Sequence, residues 1–187
     1  MPFSVKEQFK EAPETWDINI CETCYKTPKN FFWAFFCPPC AQFYQRKRIL
    51  GGDLERYTCC GGEICAPCIS WTDGLVKKAP ECCLCTEILC CFYCSVGASR
   101  IMLQRKFHIR NTKFEDFLLI LAFILSYVVM ILSIFFPIPR EVDCLIDCFY
   151  CCLFSCFQSQ QEHELDVRED RQKSFKHKEA NSGIEQV

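Results

Sequence analysis

Nineteen cysteines, most of them in close pairs between Cys21 and Cys156, are the residues of this chain best suited to chemistry. Cys21-x-x-Cys24 stands twelve residues before Cys37-x-x-Cys40, and Cys65-x-x-Cys68 stands thirteen residues before Cys82-x-x-Cys85. A two-residue gap lets both sulfurs of a pair face one ion, and thiolates bind zinc strongly at about 2.3 Å. Each succession of two pairs is therefore expected to close a tetrahedral four-thiolate site. Cys59, Cys60, Cys83, Cys90, Cys91 and Cys94 offer competing ligands, and S-acylation, disulfides and plain buried thiols are the other fates open to these residues. Glu87 is the lone carboxylate between Cys82 and Cys94, which makes it the best single ion-contact candidate. The expected metal set is Cys21, Cys24, Cys37, Cys40, Cys65, Cys68, Cys82, Cys83, Cys85 and Glu87, with zinc as a structural cofactor.

Cys37-Pro-Pro-Cys40 also has the form of a thiol oxidoreductase motif, in which a low-pKa thiolate has a resolving partner a short step along the chain. Nothing around it supports the βαβ frame that would set that pKa. There is no Ser-His-Asp order and no phosphate loop, and His108, His163 and His177 stand among charges as solvated histidines. No enzymatic activity is expected.

The elements that must position these thiols include a membrane span. Phe117 to Phe136 carries no charge, and as a helix it reaches about 30 Å, the hydrocarbon thickness of a bilayer. Glu115 and Asp116 suit its N-terminal end, and Pro137 and Pro139 stop it. Arg100, Arg105, Lys106, Arg110 and Lys113 precede it, whereas only Arg140 follows as far as Phe157, so the N-terminal side is expected in the cytosol.

Val142 to Phe157 is apolar apart from Asp143 and Asp147, with five cysteines along one broad helical stripe. It reads as a second, shorter membrane helix that returns the tail inward, or as an interfacial helix. Phe31 to Phe36 reads as a re-entrant or surface-lying aromatic element, with ordinary core packing as the alternative. Two basic stretches, Arg46-Lys47-Arg48 and Arg100 to Lys113, suit either anionic headgroups or topogenic charge. The charged tail, 162–187, is expected to be disordered.

At 187 residues the length suggests a single domain, and a formal net charge of −2 argues against a nucleic-acid partner. Met1 to Asp17 is polar and lacks a secretory apolar core, so most thiols are expected to face a reducing compartment. Export of part of the chain by the internal apolar segment, with oxidation of those cysteines, is the alternative. The expected fold class is a small cysteine-rich membrane protein: a polar segment 1–15, and a domain 16–161 made of an irregular cysteine-rich module with membrane helices 117–136 and 142–157.

Several pieces, in order, carry a resemblance: Trp16 with Cys21, Cys37-Pro38, Tyr57-Thr-Cys-Cys-Gly-Gly62, Cys83-Leu-Cys-Thr-Glu87, Cys90-Cys-Phe92, Ser95-Val96 with Ala98-Ser-Arg100, and Phe107 to Lys113. The chain from about Trp16 to about Gln161 resembles the cysteine-rich family that includes the placenta-specific 8 protein, cornifelin, and the plant cadmium-resistance and fruit-weight proteins. It departs from the family signature where Phe31-Phe32 replaces a cysteine pair and where Cys37-Pro-Pro-Cys40 carries an additional proline. The resemblance implies a small plasma-membrane protein linked to divalent-cation tolerance and transport, or to control of cell number and organ size.

Two functional expectations follow. In the first, the module handles zinc, cadmium or calcium through Cys37, Cys40, Cys83, Cys85 and Glu87, as a homo-oligomer because one or two helices cannot enclose a pore. In the second, it is a non-transporting, membrane-anchored adaptor folded by zinc or disulfides.

Overall fold

The computed structural model describes residues 14–62, 74, 76–135 and 139–184. Prolines open three of its helices by fixing φ at a position where the missing N–H costs nothing. These are α2 (Pro28–Phe36), α3 (Pro38–Ile49) and α4 (Pro80–Cys90). A one-turn helix, α1 (Thr23–Lys26), precedes them, and α3 ends at Gly51 and Gly52, both at positive φ. There the Gly52 N–H reaches back to the Lys47 carbonyl in a glycine-based C-cap. Helix α5 (Phe92–Phe107) follows α4 after a bend of 117° at Cys91. A two-residue parallel pairing, β1 (Glu14–Thr15) with β2 (Ile109–Arg110), ties the start of the described chain to the end of α5.

Two longer helices complete the fold, α6 (Lys113–Phe135) and α7 (Arg140–Ile184), and both are long and apolar enough to cross a membrane. Helix α6 begins in a capping box, where the Thr112 hydroxyl accepts from the Glu115 N–H while the Glu115 carboxylate accepts from the Thr112 N–H. Its apolar side chains face outward along most of its length, from Phe117 to Phe135. Its inner face sends Leu118, Leu119, Ala122 and Leu125 into a cluster shared with Ile20, Phe92, Tyr93 and Val96 and with Ile146, Tyr150, Phe154 and Phe157 of α7.

The cysteine-rich module is helical rather than irregular. Its core lies between α3, α5 and the second half of α7, with Trp16, Ile49, Leu103, Ile109 and Leu165 in one cluster and Leu50, Tyr57, Leu84 and Ile88 in another. The tail expected to be disordered beyond Gln161 instead continues α7 to Ile184. Leu165 is fully buried, and Glu162, Asp166 and Glu169, one helical face at i, i+4 and i+7, all reach Arg48. The high charge content that suggested disorder is one face of a packed helix. The segment Val142 to Phe157 is the apolar first part of that same helix, with Leu145 71% exposed. The aromatic element is helix α2, which packs on α7 through Ala34 and leaves Phe32, Trp33 and Phe36 outward.

Candidate metal centre

Helix α4 buries Leu84, Glu87 and Ile88, the i, i+3, i+4 set of a core-facing stripe, so Glu87 occupies a position that periodicity assigns to an apolar residue. The remainder of α4 turns Cys82, Cys85 and Cys90 to the surface. Opposite Glu87 lies the tight turn Cys59–Gly62, in which Cys60 and Gly61 are left-handed at φ 49° and 64°. A non-glycine residue at positive φ is uncommon, and here it aims the Cys60 N–H at Glu87 Oε2 across 2.7 Å.

The Tyr57 hydroxyl donates to the same oxygen at 2.7 Å, while Arg46 Nη2 donates to Oε1 at 2.8 Å. Arg46 comes from α3 and also donates to the Ser95 carbonyl of α5, so four segments converge on one carboxylate. Burial pulls the Arg46 guanidinium below its ordinary range, opposed chiefly by Glu87. Burial and the Glu87 carboxylate both push the Tyr57 phenol up, because ionising it would set a second negative charge against the first.

The Sγ atoms of Cys59 and Cys60 and a carboxylate oxygen of Glu87 all lie within 4.8 Å of one another, a spacing from which one ion could be reached. Cys60 and Glu87 are buried and Cys59 is half-buried, which leaves a side for a fourth ligand. Glu87 Oε1 accepts from Arg46, and a carboxylate oxygen offers two lone pairs. With both thiols ionised, three negative charges would be balanced by a divalent ion together with the Arg46 guanidinium.

The other expected ligands are placed differently. Cys37 and Cys40 form a disulfide with each other at the break between α2 and α3, so they do not supply two thiolates to a site with Cys21 and Cys24. Cys24 instead approaches Cys156 of α7, at 3.7 Å between sulfurs, and Cys21 is exposed. Cys82 and Cys85 face outward, and burial with the neighbouring Cys82 raises the pKa of the half-buried Cys83 thiol. The Cys65-x-x-Cys68 pair lies outside the described residues. Of the expected ligands among the described residues, Glu87 alone belongs to the cluster, and its partners Cys59 and Cys60 are residues that the sequence marks as competing ligands and as part of the Tyr57–Gly62 motif. The available signal was the Cys-Cys-Gly-Gly run, whose glycines permit a left-handed turn.

The triplet Arg46–Arg48 and Arg100 are absorbed into the fold, whereas Arg105, Lys106, Arg110 and Lys113 of the second basic stretch are exposed. Arg46 meets Glu87, Lys47 stands 3.8 Å from Glu81, and Arg48 faces α7, so this triplet serves internal pairing rather than headgroups. Arg100 is fully buried, lies over the Trp16 ring at 4.0 Å, donates to Gln160 and is ion-paired with Glu115 across 3.3 Å. Burial pulls its guanidinium down to about 10, against the upward pull of Glu115, which leaves it charged at neutral pH.

No family model, curated protein or solved structure matches this chain.

Proposed function

We propose that this protein is a membrane-anchored, cysteine-rich helical module that binds a divalent metal ion at Cys59, Cys60 and Glu87. The single observation that carries the reading is the convergence of two sulfurs and a carboxylate oxygen within 4.8 Å beside a buried arginine. In support, thiolate and carboxylate together suit zinc or cadmium, and Arg46 supplies the charge that makes a loaded cluster neutral. The membrane-length helices α6 and α7 supply the anchor, with α2 and its outward aromatics at the bilayer surface. The ordered motifs that resemble the placenta-specific 8 and cadmium-resistance family favour the same reading, as well as a plasma-membrane location with the module in the cytosol. Metal passage across the bilayer would require self-association, since two helices enclose no pore.

The test is metal content of reduced full-length protein in detergent, for the natural chain, Glu87→Gln and Cys59→Ser with Cys60→Ser. Loss of about one bound zinc in each variant supports the reading, and unchanged zinc sinks it.

A specific observation also favours the second reading, an anchored adaptor that moves no ion. The Glu87 carboxylate already accepts from Arg46, Tyr57 and the Cys60 N–H, so its role can be to lock four segments together. In that case Glu87→Gln lowers stability while metal content is unaffected.

A further inference from the structure

Cys37 and Cys40 are joined in a disulfide at the start of α3. Cys21 with Cys24, and Cys82 with Cys85, have the same spacing and remain thiols. The bonded pair differs in its place. Cys37 lies outside the helix, at its N-cap with φ −138° and ψ 71°, and Cys40 lies in the first turn. The macrodipole of this 12-residue helix favours negative charge at that end, so a thiolate formed on Cys37 is stabilised there. The two sulfurs also differ in access, since Cys40 is exposed and Cys37 is half-buried. An incoming thiolate therefore meets Cys40 Sγ, and Cys37 is the leaving group.

The disulfide stands at the corner between two helices. The Cys37 N–H donates to the Trp33 carbonyl of α2 at 3.1 Å, and the Cys37 carbonyl accepts from the Ala41 N–H of α3 at 3.0 Å. Beside it, Gln158 Nε2 of α7 donates to the Pro38 carbonyl at 3.1 Å, which seats the corner on the polar part of α7. The two helices that meet there line one cleft, with Trp33 and Ala34 from α2, Ala41 and Tyr44 from α3, and Gln158 and Glu162 from α7.

We infer that Cys37–Cys40 is a redox-active disulfide that exchanges with a dithiol, and that its state sets how α2 and α3 enclose this cleft. One thiolate of the dithiol attacks Cys40 Sγ, the S–S bond breaks, and Cys37 leaves as a thiolate at the N-terminus of α3 and takes up a proton. The second thiol of the dithiol then attacks its own partner sulfur in the mixed disulfide and releases Cys40. Two electrons and two protons pass to the cysteine pair, and the dithiol becomes a disulfide. The exchange uses none of Cys59, Cys60 and Glu87.

The experiment takes the full chain in mild detergent, reduces it with excess dithiothreitol, and equilibrates it with mixtures of reduced and oxidised glutathione, with alkylation mapped to each cysteine. Tryptophan emission is compared before and after dithiothreitol. The expected result is that Cys37 and Cys40 open and close together and reversibly in the folded protein. Emission should shift on reduction, and Trp33→Phe should delete the shift. In Cys40→Ser, the remaining Cys37 thiol should label at mildly acidic pH about tenfold faster than the exposed Cys85. A disulfide that resists dithiothreitol until the protein unfolds, or a pair that stays reduced in oxidised glutathione, would overturn the inference. So would Cys37 labelling no faster than Cys85, or Trp33 emission indifferent to reduction. The readouts on the natural chain hold even if a variant fails to fold. Cys59→Ser with Cys60→Ser should leave the exchange unchanged, so failure of the metal reading is seen separately.

Discussion

Arg46 and Glu87 are 41 residues apart in sequence and meet at 2.8 Å, with each side chain 1% exposed. Neither could be buried alone, because the desolvation of an isolated ion is far larger than the stability of a small domain. The pair therefore brings α3 and α4 together as a condition of folding, and the turn at Cys60 closes over it.

Breaking this pair from one side should be costly and from both sides less so. Arg46→Met or Glu87→Gln alone is expected to destabilise the module by about 3–5 kcal/mol, while the double variant recovers a substantial part of the loss. Denaturant unfolding in detergent, run as a double-mutant cycle, measures the coupling; additive losses would mean that the pair is not the unit.

Tyr57 gives a pH test with a definite sign. Its phenol pKa is raised above the ordinary value of about 10, so the folded state holds this proton more tightly than the unfolded chain. The associated stability is complete below about pH 10 and is lost as pH rises through the folded value. An ultraviolet phenolate titration should show late-ionising tyrosines, Tyr57 and the Tyr93 phenol that burial also raises, and Tyr57→Phe should delete the Tyr57 component alone. The same variant should cost about 1.5–3 kcal/mol at neutral pH, since it removes a hydrogen bond to a buried carboxylate.

Zinc uptake by the Glu87 cluster should release protons. Two thiols must ionise for each ion bound, so loading in weak buffer near neutral pH is expected to liberate about two protons per metal. Affinity should fall by up to about a hundredfold for each unit the pH drops below the thiol range. Proton release unchanged by Cys59→Ser with Cys60→Ser would remove the thiols from the site.

Leu165 and Arg48 test the second part of α7. Leu165→Ala deletes a fully buried side chain facing Trp16, Ile49, Leu103 and Ile109 and should cost about 2–5 kcal/mol. Arg48→Ala removes the cation shared by Glu162, Asp166 and Glu169, and its main effect is expected in faster amide exchange across residues 162–169. Exchange in that stretch already at the rate of an unstructured chain would remove the basis for both.

Helix α6 can be tested by insertion. A single Ile124→Arg change at its middle should weaken membrane integration by about 2.5–3.5 kcal/mol. The same change at the exposed Phe114 should have little effect. Integration read by carbonate extraction that ignores both substitutions would argue against α6 as the anchor.

Helix α6 was legible because an uncharged twenty-residue run needs no tertiary information to be recognised, whereas the helix expected over 142–157 is only the first part of the 45-residue α7. The thiol arrangement was not, because Cys-x-x-Cys spacing reports which sulfurs are near in sequence, while the fold decides which way each faces. Helix α4 rotates Cys82 and Cys85 outward with the same turn that brings Glu87 inward. The internal role of Arg46 is hidden for a related reason. A basic triplet beside an apolar stretch looks like a headgroup contact until the carboxylate 41 residues away is placed against it. The helical tail was hidden by its charge, since only Leu165 interrupts the polar pattern where α7 meets the core.

The continuous run of α7 through 45 residues gives the molecule a lever. A straight helix of that length extends about 65–70 Å, so a tilt of about 10° set at its apolar end displaces the other end by roughly 10 Å. On the proposed anchoring, bilayer thickness and lateral pressure would bear mechanically on the carboxylates that grip Arg48, and the docking of those carboxylates would be felt in turn at the apolar end.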